Sequence, residues 1–129
     1  MIEVMASVVL IAVGILSLLT LLPSGWRLSG TSDHLGRAAG ILQGELERTA
    51  ILIMNGNNTI TPAPGQKIVK PVSGSGISPL PPGDMQYTVE TMVDNWAGSY
   101  KVRVKVTWPG NSVGIAESLI VGRQKFFAQ

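Results

Sequence analysis

The sequence predicts an α+β fold in which a long amino-terminal α-helix packs on a small antiparallel sheet of three to four strands. An apolar run over 4–22 continues into an amphipathic stretch over 28–53, and alternating apolar and polar residues follow after 84. A helix and a sheet that each have one apolar face bury those faces on each other. At 129 residues the chain has room for about one domain plus an appendage.

The first 26 residues carry a single charge, Glu3, directly before an unbroken apolar run from Val4 to Leu22. As a helix, this run would cover nearly the ~30 Å hydrocarbon layer of a bilayer. A cleavable secretory signal fits poorly, because the positive amino-terminal region is absent. A plain membrane anchor, with Trp26 and Arg27 at one interface, does not explain the presence of Glu3. A helix that both anchors the chain and packs against neighbouring helices would pair Glu3 with a neighbour's terminal amine.

Pro23 should kink or break this helix, because proline lacks a backbone donor and clashes with the preceding turn. We therefore divide the helix into an apolar assembly or transmembrane part, 1–26, and an amphipathic part, 27–54. The amphipathic part should face the sheet with apolar residues at steps of three and four. These are Leu35, Ala39, Leu42, Leu46, Ala50 and Ile53.

After the helix, residues 55–84 are predicted to form a loop rich in proline and glycine. The six prolines of this stretch make continuous strand pairing difficult, although Ile68 and Val69 could form a brief strand. Asn55 and Gly56 are suited to end the helix.

An antiparallel meander is predicted over 85–129, and together 27–129 form one globular domain. The clearest alternation is Tyr100 to Trp108; a first strand begins near Met85, and a third runs from about Val113 to Arg123. Turns are expected at 94–98 and 109–111. In the third strand Glu117 interrupts an apolar row, which a bulge near Gly114 or an edge position would explain.

The residue types needed for common catalytic sites are scarce. The chain has no cysteine and one histidine, His34, so thiol catalysis is excluded and histidine-based metal clusters or a Ser-His-Asp triad are hard to build. Glu45 and Glu47 lie two apart on a helix and point in different directions. No glycine cluster, including the one near Ser73, has the context of a phosphate-binding loop. We expect no enzyme activity, no cofactor and no metal.

Two surface features remain as candidate interaction sites. Lys101, Arg103 and Lys105 share one strand face, where they could contact the phosphates of DNA, or form a solvated face paired with Glu90 or Glu117. The solvated face is the favoured interpretation. Trp96, in a predicted turn, is either an exposed interaction residue or a lid over the core, and the lid is favoured.

The stretch MIEV followed by MASVVLIAVGILSLL resembles the class III signal motif of type IV pilins and of the pseudopilins of type II secretion. In that family the motif glutamate is the fifth mature residue, and Glu3 takes its place. The resemblance therefore implies two further mature residues and a leader ending in glycine before Met1. Gly14 follows Glu3 by eleven residues and Pro23 by twenty, a spacing closer to PilV-type minor pilins and minor pseudopilins than to major pilins.

The resemblance implies a helix stored in the bacterial inner membrane, with a periplasmic domain, that later enters a surface filament or a periplasmic pseudopilus. Its implied partners are other pilin-like subunits, membrane lipid, a prepilin peptidase and the assembly machinery. Glu3, Gly14 and Pro23 are the implied assembly residues. Two alternatives stay open beside a minor pilus subunit: a minor pseudopilin of type II secretion, and a single-span periplasmic binding or adhesion module that does not polymerise.

Overall fold

The computed structural model describes residues 1–77 and 79–124 and confirms the predicted α+β fold. One helix, α1 (Ile2–Met54), is followed by the four strands of an antiparallel sheet, in the spatial order in which they occur along the chain. The strands are β1 (Lys67–Ser73), β2 (Gln86–Trp96), β3 (Ser99–Trp108) and β4 (Asn111–Val121). Residue 78 of the predicted loop and 125–129 of the predicted meander lie outside the described residues.

Helix α1 stays helical through Pro23, so a break at this position is excluded, whereas a kink stays a prediction. The helix ends at Met54, directly before the predicted stop at Asn55 and Gly56. The chain divides into two compact units, Met1–Leu35 and Gly36–Gln129. The first unit is helical from Ile2 onward, and the second contains the rest of α1 and the sheet.

Within the second unit, α1 buries a stripe that differs at its start from the predicted one. Leu42, Leu46, Ala50 and Ile53 are buried as predicted. Ala38 is fully buried, whereas the predicted Ala39 is exposed and Leu35 is 46% exposed. Spacing alone does not separate the two alanines, because residues three and four before Leu42 both share its face of the helix; the side of α1 that the sheet covers decides between them.

Strand β1 corrects the prediction that 55–84 is loop with at most a brief strand at Ile68 and Val69. Seven residues pair with β2, from Lys67 opposite Met92 to Ser73 opposite Gln86. Pro71 lies inside this strand, which its edge position permits because one side of an edge strand needs no backbone donor.

Strands β2 and β3 supply most of the core, and their alternation confirms the sequence pattern. Side chains directed toward α1 are buried in both strands, and on β3 these are Val102, Val104, Val106 and Trp108. The turn between the strands is shorter than predicted, because β2 continues to Trp96 and pairs it with Ser99. Ala97 and Gly98 both have positive φ, as the two central residues of a type I′ turn require.

Strand β4 lies at the sheet edge and begins with the predicted irregularity. The register shifts between Val106 and Trp108, and Gly114, opposite this shift, has a φ of 65°. A Cβ at Gly114 would lie 2.1 Å from the carbonyl oxygen of Val106. Both predicted explanations, the bulge and the edge position, are therefore present. Val113, at the predicted start of this strand, is 79% exposed.

Polar contacts join α1 and the residues just after it to distant parts of the second unit. Lys70 of β1 donates to Glu45 of α1 with Nζ and Oε2 2.6 Å apart. After β4, Arg123 donates to the carbonyl oxygens of Gly56 and Asn58, the latter at 3.1 Å. These contacts hold the two edges of the sheet region to the helix and to its end.

Replacing Gly40 with alanine should stabilise the protein. Gly40 is exposed on α1, and an added Cβ would meet nothing within 4 Å, so the change brings only the helix propensity gain of up to about 1 kcal/mol. The free energy of unfolding in detergent measures it. Gly114→Ala is the control with the opposite expected sign, because its added Cβ clashes with backbone; a destabilised Gly40→Ala would contradict the exposed placement.

Asp84 lies in the connection between β1 and β2 and accepts several hydrogen bonds there. Its carboxylate accepts hydrogen bonds from the Ser73 hydroxyl, from the Ser75 hydroxyl at 2.7 Å and from the Ser75 amide at 3.0 Å. These donors, that of Ser73 foremost, hold the pKa of Asp84 well below its ordinary value of 3.8. Because the folded-state pKa is lowered, the stabilisation is present above the unfolded-state pKa and is lost as the pH falls from about 4 toward the folded value.

Asp84→Asn should therefore lower the melting temperature at neutral pH and bring variant and parent closer together below pH 4. Melting curves followed by circular dichroism from pH 7 to pH 2 test this. Glu47→Gln is the control, since Glu47 accepts one amide hydrogen bond on the exposed helix surface. A difference between Asp84→Asn and parent that stays constant with pH would contradict the role of the carboxylate.

Candidate assembly site

The first unit presents an apolar helix with no protein covering it. Every residue from Met1 to Asp33 is exposed, and none of the most apolar 18-residue window is buried. Among the described residues, α1 is the one helix long and apolar enough to cross a membrane. A core helix of a globular protein would be mostly covered, so this helix is a candidate membrane span.

Glu3 lies in the first turn of α1, where the helix dipole favours an anion. Its backbone carbonyl accepts the Ser7 hydroxyl at 2.8 Å. Its carboxylate has no ion-pair or hydrogen-bond partner among residues 1–77 and 79–124. Any protein partner of this exposed charge at the end of the apolar segment therefore lies outside the described residues.

The hydroxyl groups inside the apolar segment are satisfied by their own helix. Ser17 donates to the carbonyl oxygen of Val13, and Thr20 donates to that of Ser17, each at 2.8 Å. In an apolar environment an unpaired hydroxyl is unfavourable, and these local bonds remove that penalty. Glu3 is the one charged side chain of residues 1–26, and its carboxylate lacks a partner among the described residues.

Gly14 and Pro23 lie on the same exposed segment, on the helix itself. An added Cβ at Gly14 would meet nothing within 4 Å, so packing inside the described chain does not require a glycine there. Pro23, Leu22 and Trp26 line a shallow apolar depression of about 310 Å³, and Trp26 is 80% exposed. Both positions are open to lipid or to another helix.

The basic row of β3 lies on the sheet face that points away from α1, but acidic residues partly neutralise it. Arg103 lies 3.8 Å from Asp94, and Lys105 is opposite Glu90, which is itself 3.5 Å from Lys67. The predicted pairing of the basic row with Glu117 is wrong, because Glu117 lies opposite the inward-facing Val104 in the register. Its carboxylate therefore belongs to the opposite face.

The favoured interpretation of Trp96 as a lid over the core is wrong. Its side chain is 53% exposed, and the Lys101 ammonium lies 5.2 Å from its ring centroid. Lys101 neighbours the buried Val102 in sequence, so it points to the outer face of the sheet. Its contact with the Trp96 indole therefore lies on that face. Trp96 is therefore exposed on the outer face beside a cation.

A groove between α1 and β4 was missed by reasoning from the sequence. It has a volume of about 380 Å³ and is lined by α1 and by the first half of β4, with Leu42, Leu46 and Ile115 as apolar walls and Gln43 and Glu117 as polar groups. The signal for it was Glu117 itself. An inward-facing charge in an apolar row indicates a place where the helix does not fully cover the sheet.

Among the described residues, no group of three or more histidine, aspartate or glutamate side chains could hold a metal ion. No family model, curated protein or solved structure matches the chain. The fold and the exposed surfaces are therefore the basis for assigning a function.

Proposed function

We propose that this chain is a structural, non-enzymatic subunit of a type IV pilus or a related filament. The observation that carries the proposal is Glu3, a carboxylate without a described partner at the end of an exposed apolar helix. The α+β fold supports it, because a long helix followed by an antiparallel sheet is compatible with a pilin-like subunit. Prepilin peptidase and the filament assembly machinery are the partners that this function requires.

In this mechanism the apolar segment Val4–Leu22 is stored in the inner membrane and later enters the core of the filament. Lipid tails are as apolar as the helix surface, so exchanging lipid for neighbouring helices brings little hydrophobic gain, and packing and polar pairing decide the arrangement. A carboxylate in that environment is unfavourable by several kcal/mol unless a cation meets it. Glu3 pairs with a neighbouring subunit's terminal amine and thereby sets the register between helices.

The distances along the segment favour a minor subunit. Gly14 and Pro23 lie eleven and twenty residues after Glu3, which resembles PilV-type minor pilins and minor pseudopilins. A surface filament would place the globular domain outside the cell, whereas a type II secretion pseudopilus would keep it in the periplasm. The minor pseudopilin is the alternative within the same class.

A single-span periplasmic binding or adhesion module is the second candidate function, favoured by the exposed Trp96 and by the groove beside Glu117. DNA binding by the basic row has less support, because Asp94 and Glu90 lie within 4 Å of Arg103 and Lys67 and reduce the positive field of this face. The single-span binding or adhesion module would remain monomeric in the membrane.

Co-purification from membranes tests the proposal. Full-length chains with two different tags are produced in one host, extracted in mild detergent and retrieved through one tag. The proposal predicts that the second tag, or a subunit with a similar apolar helix, is retrieved as well. Monomers without such a partner would contradict polymerisation and favour the single-span module.

A further inference from the structure

The groove between α1 and β4 is apolar but contains one uncompensated charge. Its walls include Leu42, Leu46 and Ile115, and Leu119, 42% exposed, continues the inward row of β4 beyond it. Glu117 has no cationic partner among the described residues; its one hydrogen bond comes from the adjacent Ser118 amide at 3.3 Å. The groove would accept an apolar group accompanied by a positive charge.

The outer face of the same sheet carries a group with those properties. Trp96 projects beside the tight turn of Ala97 and Gly98, and Lys101 lies over its ring. Asp94 lies opposite Lys101 in the register of β2 and β3 but forms its ion pair with Arg103, and no described carboxylate lies within 4 Å of the Lys101 ammonium. An exposed indole with an adjacent ammonium is complementary to an apolar groove with a carboxylate at its side.

These two surfaces lie on opposite faces of one sheet, so a single molecule cannot bring them together. We propose that Trp96 and Lys101 of one copy dock into the groove at Leu42, Ile115 and Glu117 of a second copy. The contact joins two different surfaces and is therefore heterologous, which leaves a free surface at each end and permits continued addition. The inference rests on the proposed function for the claim that subunits lie side by side, and it adds that copies of this chain are neighbours whose globular domains are in contact.

The energetics of such a contact reside mainly in the indole. Tryptophan residues are frequent hot spots at interfaces, because a large ring is desolvated in a pocket, and a groove of about 380 Å³ lies in the size range that accepts such a group. The Lys101–Glu117 pair at its side contributes orientation and discrimination more than affinity. Trp96→Ala should accordingly weaken the contact more than either charge change.

Cysteine cross-linking in membranes tests the contact, since the natural chain has no cysteine and gives no background. The full-length Ala97→Cys/Gln43→Cys variant places one thiol beside Trp96 and one at the groove. On mild oxidation we expect a ladder of covalent dimers, trimers and longer species, because every copy carries both halves of the contact. The control is Ala97→Cys/Val69→Cys, with Val69 exposed on β1 and facing outward, and we expect about tenfold less ladder.

Charge exchange provides the second measurement. In the cross-linking variant, Lys101→Glu and Glu117→Lys should each reduce the ladder and together restore it, while Trp96→Ala should reduce it about tenfold or more. Equal ladders in the test and control pairs, cross-links only to other proteins, or no rescue by the double exchange would overturn the contact. Glu3-dependent polymers without a ladder would overturn the contact and leave the proposed function standing. A ladder that persists where Glu3-dependent polymers are absent would support the contact and overturn the proposed function.

Discussion

Glu3→Ala is expected to leave membrane insertion intact and to reduce incorporation into filaments by about 100-fold. Alanine is apolar, so the span from Val4 to Leu22 keeps its capacity to enter the bilayer. Removing one partner of a desolvated ion pair leaves the other charge unpaired, at about 3 kcal/mol or more, which corresponds to about two orders of magnitude in association. The ratio of filament-bound to membrane-bound protein measures the effect.

Glu47→Ala is the matched control for this change. Glu47 is also an exposed carboxylate on α1, but it lies in the second unit, outside the apolar segment, and accepts a hydrogen bond from Gln43 at 3.0 Å. Its removal should leave incorporation near the parental level. Equal incorporation of Glu3→Ala and parent would contradict a register role for Glu3, and loss of membrane insertion in Glu3→Ala would place the effect before assembly.

Tyr87→Ala is expected to lower the free energy of unfolding of the second unit by about 3–5 kcal/mol, the usual range for removing a buried aromatic side chain. Tyr87 is fully buried on β2, and its ring centroid lies 6.0 Å from that of Trp108. The change removes this ring pair and leaves a cavity under α1 that neighbouring strands cannot fill without distortion. Denaturant unfolding followed by circular dichroism in detergent measures the loss.

Trp96→Ala is the matched aromatic control, because its ring is exposed and, among the described residues, Lys101 is the one cation over it. Exposed cation–π contacts contribute about 0.5–1 kcal/mol, so this variant should unfold close to the parent. A Trp96→Ala variant as unstable as Tyr87→Ala would contradict the exposed placement of Trp96. A Tyr87→Ala variant as stable as the parent would contradict the assignment of the core.

The parts of the fold that were predictable from the sequence depend on local patterns. From Val102 to Trp108 every second residue is apolar and is buried in the structure, because a strand places alternate side chains on opposite faces. The apolar run after Glu3 was equally readable, since length and composition alone define a candidate span. Glu3 itself could be singled out for the same reason, as the one charge in the first 26 residues.

The parts that were missed depend on contacts between distant residues. Strand β1 contains Pro71 and alternates weakly, and its pairing with β2 is set by the register across the intervening loop and by the Lys70–Glu45 contact rather than by local propensity. The choice of Ala38 over Ala39 depends on the angle at which α1 meets the sheet. The exposure of Trp96 depends on a turn of two residues, where the sequence suggested a longer one.

The groove beside Glu117 could not be derived either, because its existence requires knowing how much of β4 the helix covers. The sequence showed an interrupted apolar row and left two explanations open, a bulge and an edge position. Both occur, and their combination leaves Ile115 and Glu117 facing a partly uncovered space. An inward-facing charge at an edge strand is therefore informative about docking surfaces as well as about strand assignment.

The most direct measurement of the central claim is what surrounds the apolar helix before and after assembly. A photoreactive amino acid at Leu10, which is 72% exposed, would cross-link whatever contacts it. We expect lipid adducts in the membrane pool and adducts with another subunit's apolar helix in the filament pool, with Glu3→Ala held in the lipid-contacting state. Lipid adducts alone in every fraction of the parent protein would contradict the exchange of lipid for neighbouring helices.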